Sequence, residues 1–201
     1  EDDIDRLASA VLAELPKSRK CVLVGHSFGG MVALAMLEQQ RQRIEGLVLV
    51  NSSCGEDSDE ARAARMQRVS RALAGEYLEL ANAASGRAYH PRNQNRSDLM
   101  LARQKESEAY GSRAYVAHQL AMASRRDRTV LLAEFEGAKL VISADADVVI
   151  PTDKQRLMAD AVGAPWICIE GGGHMLPAEC PDELARVLAD WWRDLPKGNE
   201  V

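Results

Sequence analysis

A serine stands at the centre of Gly25-His26-Ser27-Phe28-Gly29, where a run of apolar residues gives way to helical spacing. A serine hydroxyl becomes a nucleophile only beside a general base, and the base works best when an acid orients it. Residues of both kinds follow later in the chain: Asp145 and Asp147 in "ADADVVIP", and His174 in "EGGGHMLPAECPDEL". Serine, carboxylate and histidine together can carry out nucleophilic acyl transfer. Each alone has a plainer role, the serine as a helix cap, the aspartates as turn formers, the histidine as a surface or core side chain. Three of them in this chain order, each after a separate apolar run, favour the chemical role.

The elements that must position these residues are legible from periodicity. Cys21–Val24, Gly46–Val50, Lys139–Ser143 and Trp166–Ile169 are nearly continuous apolar runs, the pattern of strands buried on both faces of a parallel sheet. Helical spacing covers Asp3–Leu15, Gly30–Gln42, Thr152–Val162 and Pro181–Asp194. The alternation predicts an α/β fold with a mostly parallel sheet flanked by helices. Ser27, the aspartates and His174 then all fall at C-terminal strand ends, where such sheets place ligand chemistry. A turn between strand and helix lifts the serine hydroxyl clear of the sheet. The flanking glycines, with Gly30, are expected to remove Cβ atoms that would collide with strand and helix.

The interval from Ser52 to Glu136 contains no strand pattern and is rich in Ala, Arg, Glu and Leu. It is predicted to be helical, with a loop over 85–96 ("SGRAYHPRNQNR") and helix resuming over Leu99–Ala109 and Arg113–Ser124. The predicted division is a core of residues 1–51 and 137–201 with a helical cap or lid at 52–136. Arg62, Arg65, Arg68 and Arg71 read as a solvated helix face paired with nearby acids, and Arg125-Arg126-Asp127-Arg128 as the polar end of a cap helix. His26 reads as structural, His90 and His118 as cap residues. One of Trp191 and Trp192 is expected to pack on the sheet.

Composition narrows the function classes. The 201 residues are 46% hydrophobic and 27% charged, ordinary for a single globular domain. A net charge of −5 argues against nucleic acid as a partner, since no basic excess exists to neutralise phosphates. No apolar run approaches the roughly 18–20 residues of a membrane span. Cys21, Cys54, Cys168 and Cys180 form no CxxC pair and no metal-ligand spacing. Free thiols in a cytoplasmic protein are expected, with no metal and no other cofactor.

The segments "VLVGHSFGGMVAL", "GLVLVNSS", "LVISADADVVIP" and "IEGGGHMLPAECPDEL" together resemble the α/β-hydrolase superfamily, in particular its cap-bearing serine esterases and carbon–carbon hydrolases. The resemblance implies that Ser27 is the nucleophile and His174 the base. It also selects the acid: the family's G-x-x-D-x-x-x-P register falls on Asp147, four residues before Pro151, with Ala144 in place of the usual glycine and Asp145 as runner-up. Some relatives carry the acid at the end of the preceding core strand, but that position holds the uncharged Asn51. The implied activity is hydrolysis of a carboxylic ester or related small acyl substrate through an acyl-enzyme, with the backbone N–H of Phe28 as one oxyanion donor. Carbon–carbon bond hydrolysis by the same triad, or a non-catalytic binding protein that retains the fold, are the alternatives. Serine at position 27 argues against the branches that use an aspartate nucleophile.

Relatives of this type carry strands before the nucleophile strand, one of them ending in His-Gly and supplying the second oxyanion donor. About twenty residues precede Cys21 here, and they read as one helix. The N-terminal part of the sheet is therefore expected to be absent from this chain. The exposed edge at Cys21–Val24 is expected to be covered by a homo-oligomer partner or a missing N-terminal segment. Slow ester hydrolysis by this polypeptide alone is expected for the same reason.

Overall fold

The four apolar runs become four parallel strands hydrogen-bonded in the order β1-β2-β3-β4, namely β1 (Cys21–His26), β2 (Ile44–Val50), β3 (Ala138–Ala144) and β4 (Trp166–Ile169). The computed structural model describes residues 2–16 and 19–195. Helix α1 (Ile4–Glu14) precedes β1, and α2 (Phe28–Gln39) connects β1 to β2. Between β2 and β3 lie α3 (Asp59–Arg71), α4 (Tyr77–Ala88), α5 (Ser97–Ala123) and α6 (Thr129–Ala133). Helix α7 (Thr152–Ala161) connects β3 to β4, and α8 (Leu176–Glu179) and α9 (Pro181–Arg193) follow β4. This is the α/β-hydrolase type of fold, a parallel sheet flanked by helices.

Burial on both faces explains why the strands are apolar throughout. On β2, Leu47 and Leu49 pack with Ala33, Leu34 and Leu37 of α2 and with Leu132 and Phe135. Val48 and Val50 point the other way, into a cluster with Ile142, Ile169 and Leu184, against which Trp191 packs. Trp192, its neighbour, is exposed. Helix α2 is likewise apolar all round because it is enclosed on two sides. Ala33, Leu34 and Leu37 face the sheet cluster, while Met31, Val32, Ala35 and Met36 meet Ile4, Ala8 and Leu12 of α1. Asp3 caps α1 by accepting from the Arg6 N–H at 2.9 Å.

Three local expectations need correcting. The loop predicted at 85–96 starts late, because α4 runs on through Gly86 to Ala88 before Pro91 bars further helix. Burial of Ala88 and Tyr89 outweighs the weak propensity of Ser85 and Gly86. The two helices predicted over 99–124 are, by contrast, both present within α5, separated at Gly111, whose φ 74° and ψ 163° are not helical. The Arg125–Arg128 stretch is not merely a polar helix end. Arg125 is buried against Asp57 at 2.7 Å, and Arg128 is buried with Asp5 and Glu38, tying the end of the β2–β3 connection to α1 and α2. Asp57 also takes Arg65 at 2.5 Å, so one arginine of the predicted solvated stripe belongs to a buried network. Burial pushes the Asp57 carboxyl up, but the two arginines outweigh it and hold the group below its ordinary range.

Strand β1 lies at the edge of the sheet, and among the described residues it pairs only with β2. Val24 is 53% exposed on it. An apolar groove of about 400 Å³ runs along this side, lined by Leu7 and Val11 of α1, Leu15 just after it, Leu23 and Val24 of β1, and Val32 of α2.

Candidate active site

Ser27 sits between β1 and α2 at φ 51° and ψ −118°, a conformation that non-glycine residues rarely adopt. Strain of this kind costs about 1–3 kcal/mol and persists only where surrounding contacts hold it. Here the Ser27 N–H donates to the Val50 carbonyl at 2.9 Å, and its carbonyl accepts from the Gly30 N–H at 3.0 Å and the Ser52 hydroxyl at 2.7 Å. The Ser27 side chain makes no capping hydrogen bond to α2. Its Oγ instead lies 2.8 Å from Nε2 of His174.

The glycines divide unequally. A Cβ on Gly25 would lie 2.4 Å from the Gly30 Cα, and one on Gly30 would lie 2.3 Å from the Ser52 Oγ. Those two positions let α2 start directly against the sheet. A Cβ on Gly29 would meet nothing within 4 Å, so the expectation of a clash at this flanking glycine is wrong.

Asp147 reaches His174 from the loop after β3. The two Asp147 carboxylate oxygens lie 3.0 and 3.1 Å from Nδ1 of His174. Oδ1 also accepts from the N–H groups of Val149 and Ile150, at 2.8 and 3.0 Å, and Oδ2 from Nε2 of Gln155 at 3.1 Å. Gln155 is held in that orientation: Nε2 also donates to the Ile150 carbonyl at 2.7 Å, and Oε1 accepts from the Ser143 hydroxyl at 3.0 Å. The Ser143 oxygen in turn accepts from the Trp166 Nε1–H at 3.0 Å. A buried carboxylate with every approach occupied by a donor stays oriented without water. Asp145 is not brought to the histidine; its Oδ1 accepts from the Gly171 and Gly172 N–H groups at 2.8 and 3.2 Å and shapes the loop that follows β4.

His174 is clamped through its backbone as well. Its carbonyl accepts from Nε2 of His26 at 2.7 Å and from Nδ2 of Asn51 at 3.1 Å. Burial pushes the His26 imidazole below its ordinary pKa of 6.5, so it is neutral at pH 7 with the proton on Nε2. Asn51, at φ 44°, also donates to the Gly173 carbonyl at 3.0 Å and accepts from the Ala144 N–H at 2.9 Å. It therefore joins the ends of β2 and β3 to the His174 loop. Ser143, Gln155 and Trp166 were not identifiable as site residues from sequence, because their spacing carries no signal, and Asn51 was marked only as an uncharged residue at the alternative acid position. His118, on α5, stacks on the Phe28 ring at 4.7 Å and hydrogen-bonds Tyr110. His90 contributes its backbone near the loop but not its ring to the Ser27 site. Among the described residues no group of three or more His, Cys, Asp or Glu side chains is placed to hold a metal ion. No helix of the described residues is long and apolar enough to cross a membrane.

A hydroxyl, an imidazole and a sequestered carboxylate thus lie in line at the C-terminal ends of three parallel strands. The chain belongs to the alpha/beta hydrolase family, whose model matches residues 1–187. It is similar in structure to a thermophilic esterase from Thermogutta terrifontis, with 25% identity and a TM-score of 0.88, covering 95% of this chain and 72% of that one. Similar folds are an enol-lactonase from Burkholderia xenovorans LB400 (21% identity, TM-score 0.83, covering 96% and 74%) and a bromoperoxidase from Bacillus anthracis (20%, 0.80, covering 96% and 76%). No curated protein matches the chain in sequence.

Proposed function

We propose that the protein is a serine hydrolase acting on a carboxylic ester or related small acyl substrate. The observation that carries this reading is the strained Ser27, whose hydroxyl is used not as a helix cap but as the partner of His174 Nε2 at 2.8 Å. Similarity at 25% identity to an esterase supports the same substrate class.

In this reading the Ser27 oxygen attacks the substrate carbonyl carbon while its proton passes to Nε2 of His174. Asp147 stabilises the imidazolium through Nδ1 and keeps the tautomer that leaves Nε2 free to accept. The tetrahedral oxyanion takes a hydrogen bond from the Phe28 N–H, one of the unpaired amides at the start of α2, where the helix end adds partial positive charge. His174 then returns the proton to the departing alkoxide, and a water activated by the same nitrogen releases the acid. Residues 52–136 act as the cap, with His118 stacked over Phe28 as its point of approach to the nucleophile. None of these steps calls for a metal or cofactor.

A fluorophosphonate probe tests the proposal. Wild-type protein should be labelled at Ser27, with labelling abolished in Ser27→Ala and reduced at least about 10³-fold in rate in His174→Ala. A folded wild-type protein that takes no label would refute it and leave a binding protein with the hydrolase fold. Turnover of p-nitrophenyl esters of graded acyl length then measures the pocket.

A further inference from the structure

Glu179, at the end of α8, is a buried carboxylate that the mechanism above does not use. Its Oε1 accepts the Gly173 N–H at 2.8 Å. Its Oε2 accepts the His90 N–H at 2.7 Å and a proton of Asn93 Nδ2 at 2.8 Å. One side chain thus joins the residue immediately before His174 to the segment between α4 and α5. That segment lies directly on the loop: the Met175 N–H donates to the Ala88 carbonyl at 3.3 Å, and a Cβ on Gly173 would sit 2.5 Å from the His90 nitrogen. Asn93 is itself buried, so the junction excludes water that would otherwise replace a lost bond.

We infer that Glu179 is a positioning residue, a strap through which the 88–93 segment sets the placement of His174 between Ser27 and Asp147. The inference rests on the hydrolase reading above and assigns one more residue to that site. The inner side of the His174 loop is held by His26 and Asn51; Glu179 supplies the hold on the outer side. A carboxylate is needed because the three donors approach from two sides, and an acceptor-only group can meet them all. An amide would present NH₂ to at least one of those N–H groups and leave a buried donor opposed by a donor.

The test compares Glu179→Gln with Asn93→Ala, which cuts one of the two bonds from the β2–β3 connection and leaves that of the His90 N–H. In Glu179→Gln, kcat on a p-nitrophenyl ester should fall by about tenfold to a hundredfold, the usual result of a small misplacement of a catalytic group, with KM within about twofold. Asn93→Ala should lower kcat in the same direction by a smaller factor. The double variant should match Glu179→Gln alone, because both substitutions act on one strap. Independently of turnover, the downfield imidazole N–H proton resonance of the Asp147–His174 pair should be present in wild type and broadened or lost in Glu179→Gln. Wild-type kcat together with a wild-type resonance in folded Glu179→Gln would overturn the strap. A rise in KM at unchanged kcat would do the same. If Glu179→Gln does not fold, Asn93→Ala decides by the same two measurements. A wild-type protein without turnover or probe labelling would instead overturn the hydrolase reading, and the resonance would still report on the strap.

Discussion

Replacing Asp147 by asparagine removes the charge of the acid without changing its shape, and the donors around the side chain dictate how the amide must sit. Oδ1 must accept two backbone N–H groups, from Val149 and Ile150. The asparagine carbonyl oxygen therefore takes that place and its NH₂ takes the place of Oδ2. There it meets Nε2 of Gln155, a donor whose reversal would turn Oε1 against the Ile150 carbonyl. It also meets Nδ1 of His174 at 3.0 Å, which favours the tautomer in which Nδ1 accepts from the amide over one that donates to the already twice-bonded oxygen at 3.1 Å. The imidazole proton then sits on Nε2, and Nε2 can no longer accept from Ser27. The expected loss is ~10⁴-fold in kcat, about 5.4 kcal/mol of transition-state stabilisation at about 1.36 kcal/mol per decade. The contrast is Asp145→Asn. One oxygen of Asp145 takes both glycine N–H groups, so an asparagine oxygen can keep both bonds, and activity should stay within about tenfold of wild type. Ester turnover and fluorophosphonate labelling at pH 7–8 read both variants. A folded Asp147→Asn protein within tenfold of wild type, or equal losses at the two aspartates, would refute the assignment of the acid.

Gly30→Ala should destabilise by about 1–3 kcal/mol in chemical denaturation, because its Cβ enters Ser52, whereas Gly29→Ala should be neutral or slightly stabilising. Equal losses at both glycines would contradict the packing of α2 against the sheet. His26 has a folded-state pKa below its unfolded value of 6.5, so the unfolded chain binds the proton more readily in the window below that pH. The stability it contributes is present above pH 6.5 and is lost as pH falls through the folded value. The fall in Tm between pH 7.5 and 5.5 should therefore be smaller in His26→Gln than in wild type, with His118, whose pKa is also lowered by burial, accounting for part of the remaining slope. Val24→Lys places a charge on the open side of β1, a device that blocks strand pairing. If another copy of the chain covers that edge, sedimentation velocity should show the variant at lower mass than wild type, and unchanged association would exclude this edge as the contact.

Much of this protein was readable from the sequence because its signals are local. Continuous apolar runs mark strands buried on both faces, and all four such runs are strands in the parallel sheet. Ser27, Asp147 and His174 are each marked by the short motif around them, since a residue at a strand end sits in a recognisable string of turn residues. The bend at Gly111 was also legible, as an interruption in helical spacing. The contacts that converge on the site are of another kind. Asn51 meets His174 across 123 positions, and Glu179 meets His90 across 89. No periodicity records such partners, because burial of a polar side chain is decided by whether donors from distant segments arrive to satisfy it. The sequence by itself determined which elements form and which residue types stand at their ends. Only the tertiary structure decided that Asp145 shapes the loop after β4, that Gly30 rather than Gly29 is required, and that α4 outlasts its expected end. In each case neighbours brought in by the fold outweigh the preference of the local chain.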